Sequence, residues 1–155
     1  MQGEIYSDAA FGQRHSQEFS VEKLLNECRE YFVFNGSVGA LSKLHPLHAK
    51  VGETVPIFFG VGGPNHTSSF HVIGETFDRV YNVGGVLSDP LRGITLSVPA
   101  GGAVITEFKL DVPGNYMLVD DALSPPPRGL VGILQVEGPP NAEVFEGKFD
   151  PGSSH

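Results

Sequence analysis

From Tyr31 onward, each run of β-branched and aromatic residues is cut short by turn-forming residues. Tyr31 to Phe34 meets Asn35-Gly36, a hairpin-type signal. Leu47 to Val51 alternates and stops at Gly52. Thr54 to Phe59 is β-rich, and Pro56 within it points to an edge strand or a bulge. Phe70 to Ile73, Arg79 to Tyr81, Ile94 to Val98, Val104 to Leu110, Tyr116 to Val119 and Leu130 to Val136 follow, separated by glycines and prolines. Roughly eight or nine short strands with almost no helical period predict an antiparallel two-sheet sandwich with Greek-key connections.

One segment departs from this pattern. Ser20 can cap a short helix running to Cys28, with Glu22 in the first turn. Val21, Leu24, Leu25 and Cys28 fall on one face at helical spacing, which predicts a helix covering one end of the core. The chain therefore divides into a polar lead-in with a short helix (1–30), a sandwich (31–138) and a tail of weak propensity (139–155).

The charge balance narrows the partners. Net charge is −8, from 10 basic and 18 acidic residues, which argues against nucleic acid or an anionic membrane as partner. No apolar run approaches a membrane span. The first residues lack the basic-then-apolar layout of a signal peptide, so either the chain is cytosolic or a leader or preceding domain has been removed. The single cysteine, Cys28, rules out an internal disulfide and predicts a buried helix-face residue.

The chemistry concentrates in Gly60 to Glu75, a glycine-rich turn that runs into Ser69-Phe-His-Val-Ile73. On a strand, His71 points opposite to Phe70 and Val72. A histidine so placed is either a satisfied core residue or a ligand or proton donor aimed at a site. His66 sits in the turn, where loop and strand could bring it near His71. His45 and His48 stand three apart, and on a strand their side chains point to opposite faces, so a shared metal is not expected. His15 and His155 lie toward the termini.

Several ordered motifs together resemble the second cupredoxin domain of copper-containing nitrite reductases, nearest the neisserial outer-membrane type. They are Gly62-Gly-Pro-Asn65, Ser68-Ser-Phe-His-Val-Ile-Gly-Glu75, Phe77-Asp78, Val98-Pro-Ala-Gly-Gly102 and Pro113-Gly-Asn-Tyr116 with Leu118-Val-Asp120. The resemblance covers about residues 1–138. It implies an all-β, cupredoxin-like Greek-key sandwich from a trimeric, periplasmic or cell-envelope enzyme of denitrification. That enzyme reduces nitrite to nitric oxide at a type 2 copper between subunits. It also implies a type 1 copper held wholly by a first domain that this sequence does not contain. Cys28 cannot replace that site, because a blue-copper cysteine needs flanking histidines on a loop.

Carried over by position, His71 matches the histidine that helps protonate nitrite, and Ile73 matches the apolar residue that walls the nitrite pocket. Thr95 keeps a hydroxyl beside Ile94, which stands where the family often has a Glu or Gln bonded to that histidine. The copper-ligating histidine is expected after Val119-Asp120, and here that position is Asp121. Carboxylate can bind copper, but imidazole is the better partner. Asp120 and Asp121 would form a proton-relay pair if copper were present. The following loop, Ser124-Pro-Pro-Pro-Arg128, carries prolines where bulky apolar residues are expected.

These departures predict a domain catalytically incomplete alone, with copper possible only as a family inheritance. It would act as an assembly module, self-associating as a trimer or by swapping, or pairing with a separate first domain. The alternative is a working nitrite reductase, or its second domain, in which Asp121 or His66 replaces the missing ligand. A small copper carrier or electron-transfer protein is disfavoured by the absence of a Cys/His/Met ligand loop.

Overall fold

The computed structural model describes residues 1–13, 16–82, 85, 91–122 and 130–145. Among these described residues eleven strands follow in chain order: β1 (Gln2–Ile5), β2 (Tyr31–Phe34), β3 (Leu47–Lys50), β4 (Thr54–Gly60), β5 (Ser68–Ile73), β6 (Phe77–Asn82), β7 (Leu91–Gly93), β8 (Thr95–Val98), β9 (Ala103–Lys109), β10 (Gly114–Asp120) and β11 (Gly132–Glu137). A five-stranded sheet of order β3-β11-β10-β5-β8 faces a four-stranded sheet of order β4-β9-β6-β7, and β1-β2 forms a separate ribbon. The two-sheet sandwich read from the sequence is thus present. One pairing, β11 with β3, is parallel within an otherwise antiparallel set.

Period-2 alternation fixes the inward faces. Phe70 and Val72 of β5, Phe77 and Val80 of β6, Phe108 of β9 and Leu134 of β11 are buried. Phe59, Phe70 and Phe77 stack in sequence across the sheets, at centroid separations of 4.1 and 6.0 Å. Pro56 lies on β4, an outer strand of its sheet as its residue type predicts.

The polar lead-in carries a strand: β1 pairs along its whole length with β2. Two expectations are corrected. The helix does form at Val21–Leu25, and the Ser20 hydroxyl accepts from the Lys23 N–H at 3.2 Å. It buries none of its residues, however, and Leu25 is 76% exposed. With little more than one turn it presents no continuous stripe to the core. Cys28 lies beyond the helix and is exposed rather than buried. A π-helical turn at Ala40–Leu44, begun by Gly39 with φ of 80°, was not foreseen.

Candidate functional site

The site residues lie on the outer face of the five-stranded sheet. In β5 the inward positions are Ser68, Phe70 and Val72, so Ser69, His71 and Ile73 face out. β5 runs between β10 and β8. His71 is paired with Val119 on one side and Thr95 on the other, and paired residues share a face. The Asp121 N–H donates to the Ser69 carbonyl at 2.9 Å, which carries Asp121 one step past the end of β10 along the same face. Thr95 Oγ1 reaches over β5 to donate to Asp121 Oδ2 at 3.3 Å, a long contact for a hydroxyl donor. His71, Thr95 and Asp121 are therefore brought together. Ile73 lies two residues further along β5, at the rim.

The orientation of His71 is set by a backbone group. Its Nδ1 lies 2.8 Å from the Ile94 carbonyl oxygen. A carbonyl only accepts, so Nδ1 carries a hydrogen and Nε2 is the nitrogen left without that contact. The sequence could not signal this, because Ile94 supplies main chain where a polar side chain was expected. Ile94 itself is exposed just ahead of β8, as are Ile73 and Met117, which pair across β5 and β10.

Asp120 does not join this group. It points inward, is 5% exposed, and accepts from Gln2 Nε2 at 2.9 Å, the Ser69 N–H at 2.8 Å and the Ala122 N–H at 2.9 Å. Successive strand residues face opposite ways, so the expected Asp120–Asp121 relay pair is not formed. His66 is likewise elsewhere engaged: its ring meets Phe32 edge-on, and its Nδ1 lies near Arg29 and Glu4. His45 and His48 are both exposed. His15, His155 and the Ser124-Pro-Pro-Pro-Arg128 loop lie outside the described residues.

A cleft of about 470 Å³ opens where β5 ends, lined by Ile73, Glu75, Asp111 and Tyr116 among others. Burial, reinforced by the Asp111 and Asp78 carboxylates, pushes Glu75 above the ordinary carboxylate range. Burial and the neighbouring Glu75 also raise the Tyr116 phenol, which donates to the Val112 carbonyl at 2.7 Å. Ile73 walls this cleft, on the side away from Thr95.

Among the described residues, no three of His, Cys, Asp and Glu converge to hold a metal ion. His71 Nε2 and the Asp121 carboxylate are two donors, short of the set a copper centre needs. The described residues of this chain do not by themselves make a copper site.

Two packed β-sheets with a histidine-bearing outer face define a cupredoxin-like domain. More particularly, the chain corresponds to the second, C-terminal cupredoxin domain of copper-containing nitrite reductases. It is 47% identical over 150 residues to the copper-containing nitrite reductase of Neisseria meningitidis serogroup A, and 46% identical over 150 residues to that of Neisseria gonorrhoeae. These matches span 96% of this chain but only 39% and 38% of the relatives' lengths. Among solved structures, the copper nitrite reductase of Nitrosomonas europaea superposes on 92% of the chain with a TM-score of 0.73 at 26% identity. The enzyme from Thermus scotoductus covers 88% with a TM-score of 0.71 at 26% identity. A multicopper oxidase at 20% identity and TM-score 0.65 shares the fold. No family model matches the chain.

Proposed function

We propose that this chain is a nitrite-reductase-like cupredoxin domain that is catalytically incomplete alone and serves as an assembly module. The observation that carries this reading is Asp121, which stands at the position where the resemblance places a copper-ligating histidine. Its carboxylate is occupied in part by the Thr95 hydroxyl. Exposed Ile73 and Met117, paired across β5 and β10, and Ile94 just ahead of β8 are an apolar surface suited to being covered by another domain or subunit. The partners of this reading are a separate first cupredoxin domain or further copies of the chain, as a trimer or by strand exchange. Its setting is the periplasm or cell envelope. The experiment is metal analysis, solution mass and nitrite turnover with an artificial electron donor on one purified sample. Self-association with no stoichiometric copper and no turnover is expected; stoichiometric copper with turnover overturns the reading.

A second reading is favoured by the orientation of His71. Its Nδ1 is anchored to the Ile94 carbonyl on the outward-facing side of β5, which leaves Nε2 as the nitrogen that would pass a proton to nitrite. Here the chain is the second domain of a working nitrite reductase, whose remaining ligands come from a neighbouring first domain. Copper, when bound there, would supply the electron for nitrite reduction; His71 would hold the proton, Thr95 would position Asp121, and Ile73 would wall the pocket. This reading requires a type 2 copper spin-resonance signal that disappears in Asp121→Ala. A signal equal to the parent's in that variant removes it.

A further inference from the structure

The four-stranded sheet ends on an open edge beside an apolar groove. β4 is its outer strand, and among the described residues no other strand of the sheet lies beyond it. β4 pairs with β9 in a register running from Thr54↔Lys109 to Gly60↔Ala103. On the same register the Leu110 N–H donates to the Glu53 carbonyl and the Val61 N–H to the Gly102 carbonyl, each at 3.0 Å. Hydrogen-bonded pairs alternate along an antiparallel ladder, so the odd-numbered residues of β4 bond to β9. Thr54, Pro56, Phe58 and Gly60 therefore turn their main-chain groups to the open side.

β1 already meets that side at its far end. Gln2 bridges Val61 in parallel, and the Gly62 N–H donates to the Gln2 carbonyl at 2.8 Å. Both Gln2 and Val61 are buried, so bridged residues share a face. A strand continued backward from Met1 on this register would place its first residue beside Phe59 and its next beside Phe58. Repeating the Gly62–Gln2 bond every second residue would engage the Gly60 and Phe58 N–H groups. The series stops at Pro56, which has no N–H, so the edge seats about four residues. A groove of about 380 Å³ lies on the same line, with Met1, Phe34, Leu41, Ile57 and Phe59 among its walls. The residue beside Phe59 would share its inward face, and the residue beside Phe58 would share a face that is 74% exposed. The geometry points to the β4 edge from Pro56 to Gly60 as the seat of a short extended strand, alternately apolar and polar, that runs parallel to β4 and leads covalently into Met1. A strand from a separate chain would collide with Met1, which holds the position beside Gly60. This seat is apart from the histidine-bearing face and stands whether or not copper binds.

The test is amide hydrogen exchange on the 155-residue chain carrying Thr-Val-Thr-Val directly ahead of Met1, against the same chain carrying Gly-Ser-Gly-Ser. The first extension turns its valines toward the groove; the second has neither apolar side chains nor strand preference. Exchange of the Phe58 and Gly60 amides should be at least about tenfold slower with Thr-Val-Thr-Val. The Thr54 amide, on the same edge but beyond Pro56, should exchange equally fast in both. Phe58 and Gly60 amides that exchange alike in the two proteins overturn the seat. Protection that extends equally to Thr54 overturns its end at Pro56. Protection that grows with protein concentration assigns the edge to pairing between chains and overturns the covalent source.

Discussion

Gln2 Nε2 donates to Asp120 Oδ2 across 2.9 Å, tying β1 to the last residue of β10 through a side chain only 1% exposed. The same carboxylate takes the backbone N–H groups of Ser69 and Ala122. One buried acid thus fixes the point where β10 ends, and with it the direction in which Asp121 leaves the sheet. Removing it strands three donors, so Asp120→Ala should cost on the order of 3 kcal/mol. Asp120→Asn should cost less than about 1 kcal/mol. The Gln2 amide can turn over and present its Oε1, which has no partner in the native arrangement, to the new Asn amide. Gln2→Leu strands a buried carboxylate in the parent but only a neutral amide in Asp120→Asn, so the double variant should be more stable than the sum of the single losses predicts. Urea unfolding of the four proteins measures this, and strict additivity would contradict it.

The stacked phenylalanines predict the opposite of a tolerant core. Phe70 is wholly buried between Phe59 and Phe77. Phe70→Ala should lose about 3–5 kcal/mol, and Phe70→Leu distinctly less, because it leaves a smaller cavity. Phe58, the neighbour of Phe59 on β4, points to solvent, so Phe58→Ser should change stability by less than about 0.5 kcal/mol. Equal losses at the two positions would show that the alternation of β4 is misassigned.

These residues also show why some of the molecule was readable from sequence and some was not. β4 and β5 announce themselves because both are dense in β-branched and aromatic residues, with Val55, Ile57 and Phe59 of β4 and Phe70 and Val72 of β5 alternating onto the core face. β1 reverses the code. Its inward side chains, with Tyr6 just beyond it, are Gln2 and Glu4, satisfied by partners at Asp120, Asn65 and His66 that no local window can see. It therefore reads as a polar lead-in. The α1 face was visible as a periodicity, but period says only that residues align, not that anything lies opposite. Parity along β10 would have separated Asp120 from Asp121, since Leu118 is a core residue and two steps on from it is Asp120. The bond from Ile94 to His71 was beyond reach, because a main-chain carbonyl carries no residue identity.

Glu75 gives the chain a pH dependence opposite to that of a paired carboxylate. Its folded-state value is raised above the ordinary 4.5, chiefly by burial. The folded chain therefore holds this proton more tightly than the unfolded chain does. The associated stability is fully present below the ordinary value and is lost as pH rises through the raised one. Glu75→Gln should accordingly be more stable than the parent at pH 7, with the advantage fading below about pH 4.5. The Tyr116 phenol should also titrate lower in this variant, since Glu75 is one of the groups raising it. Thermal midpoints against pH decide the matter, and a variant weakened at pH 7 but not in acid would refute the assignment.

The question of copper turns on a single substitution. In Asp121→His, an imidazole would leave the sheet at the point fixed by Asp120, on the face that already presents His71 Nε2. Imidazole outcompetes a lone carboxylate for Cu(II), and a histidine at this position forfeits only one long contact from Thr95. Affinity for Cu(II) should rise at least about tenfold, or ~1.4 kcal/mol, as measured by competition with a chelator of known strength. Thr95→Val should leave the parent's weak affinity nearly unchanged, because a 3.3 Å hydroxyl contact orients Asp121 only loosely. Should Asp121→His bind copper no better than the parent, then the ligand position is not what limits this face. The missing donors would then have to come from another domain, which makes the solution mass of the copper-loaded variant the deciding measurement.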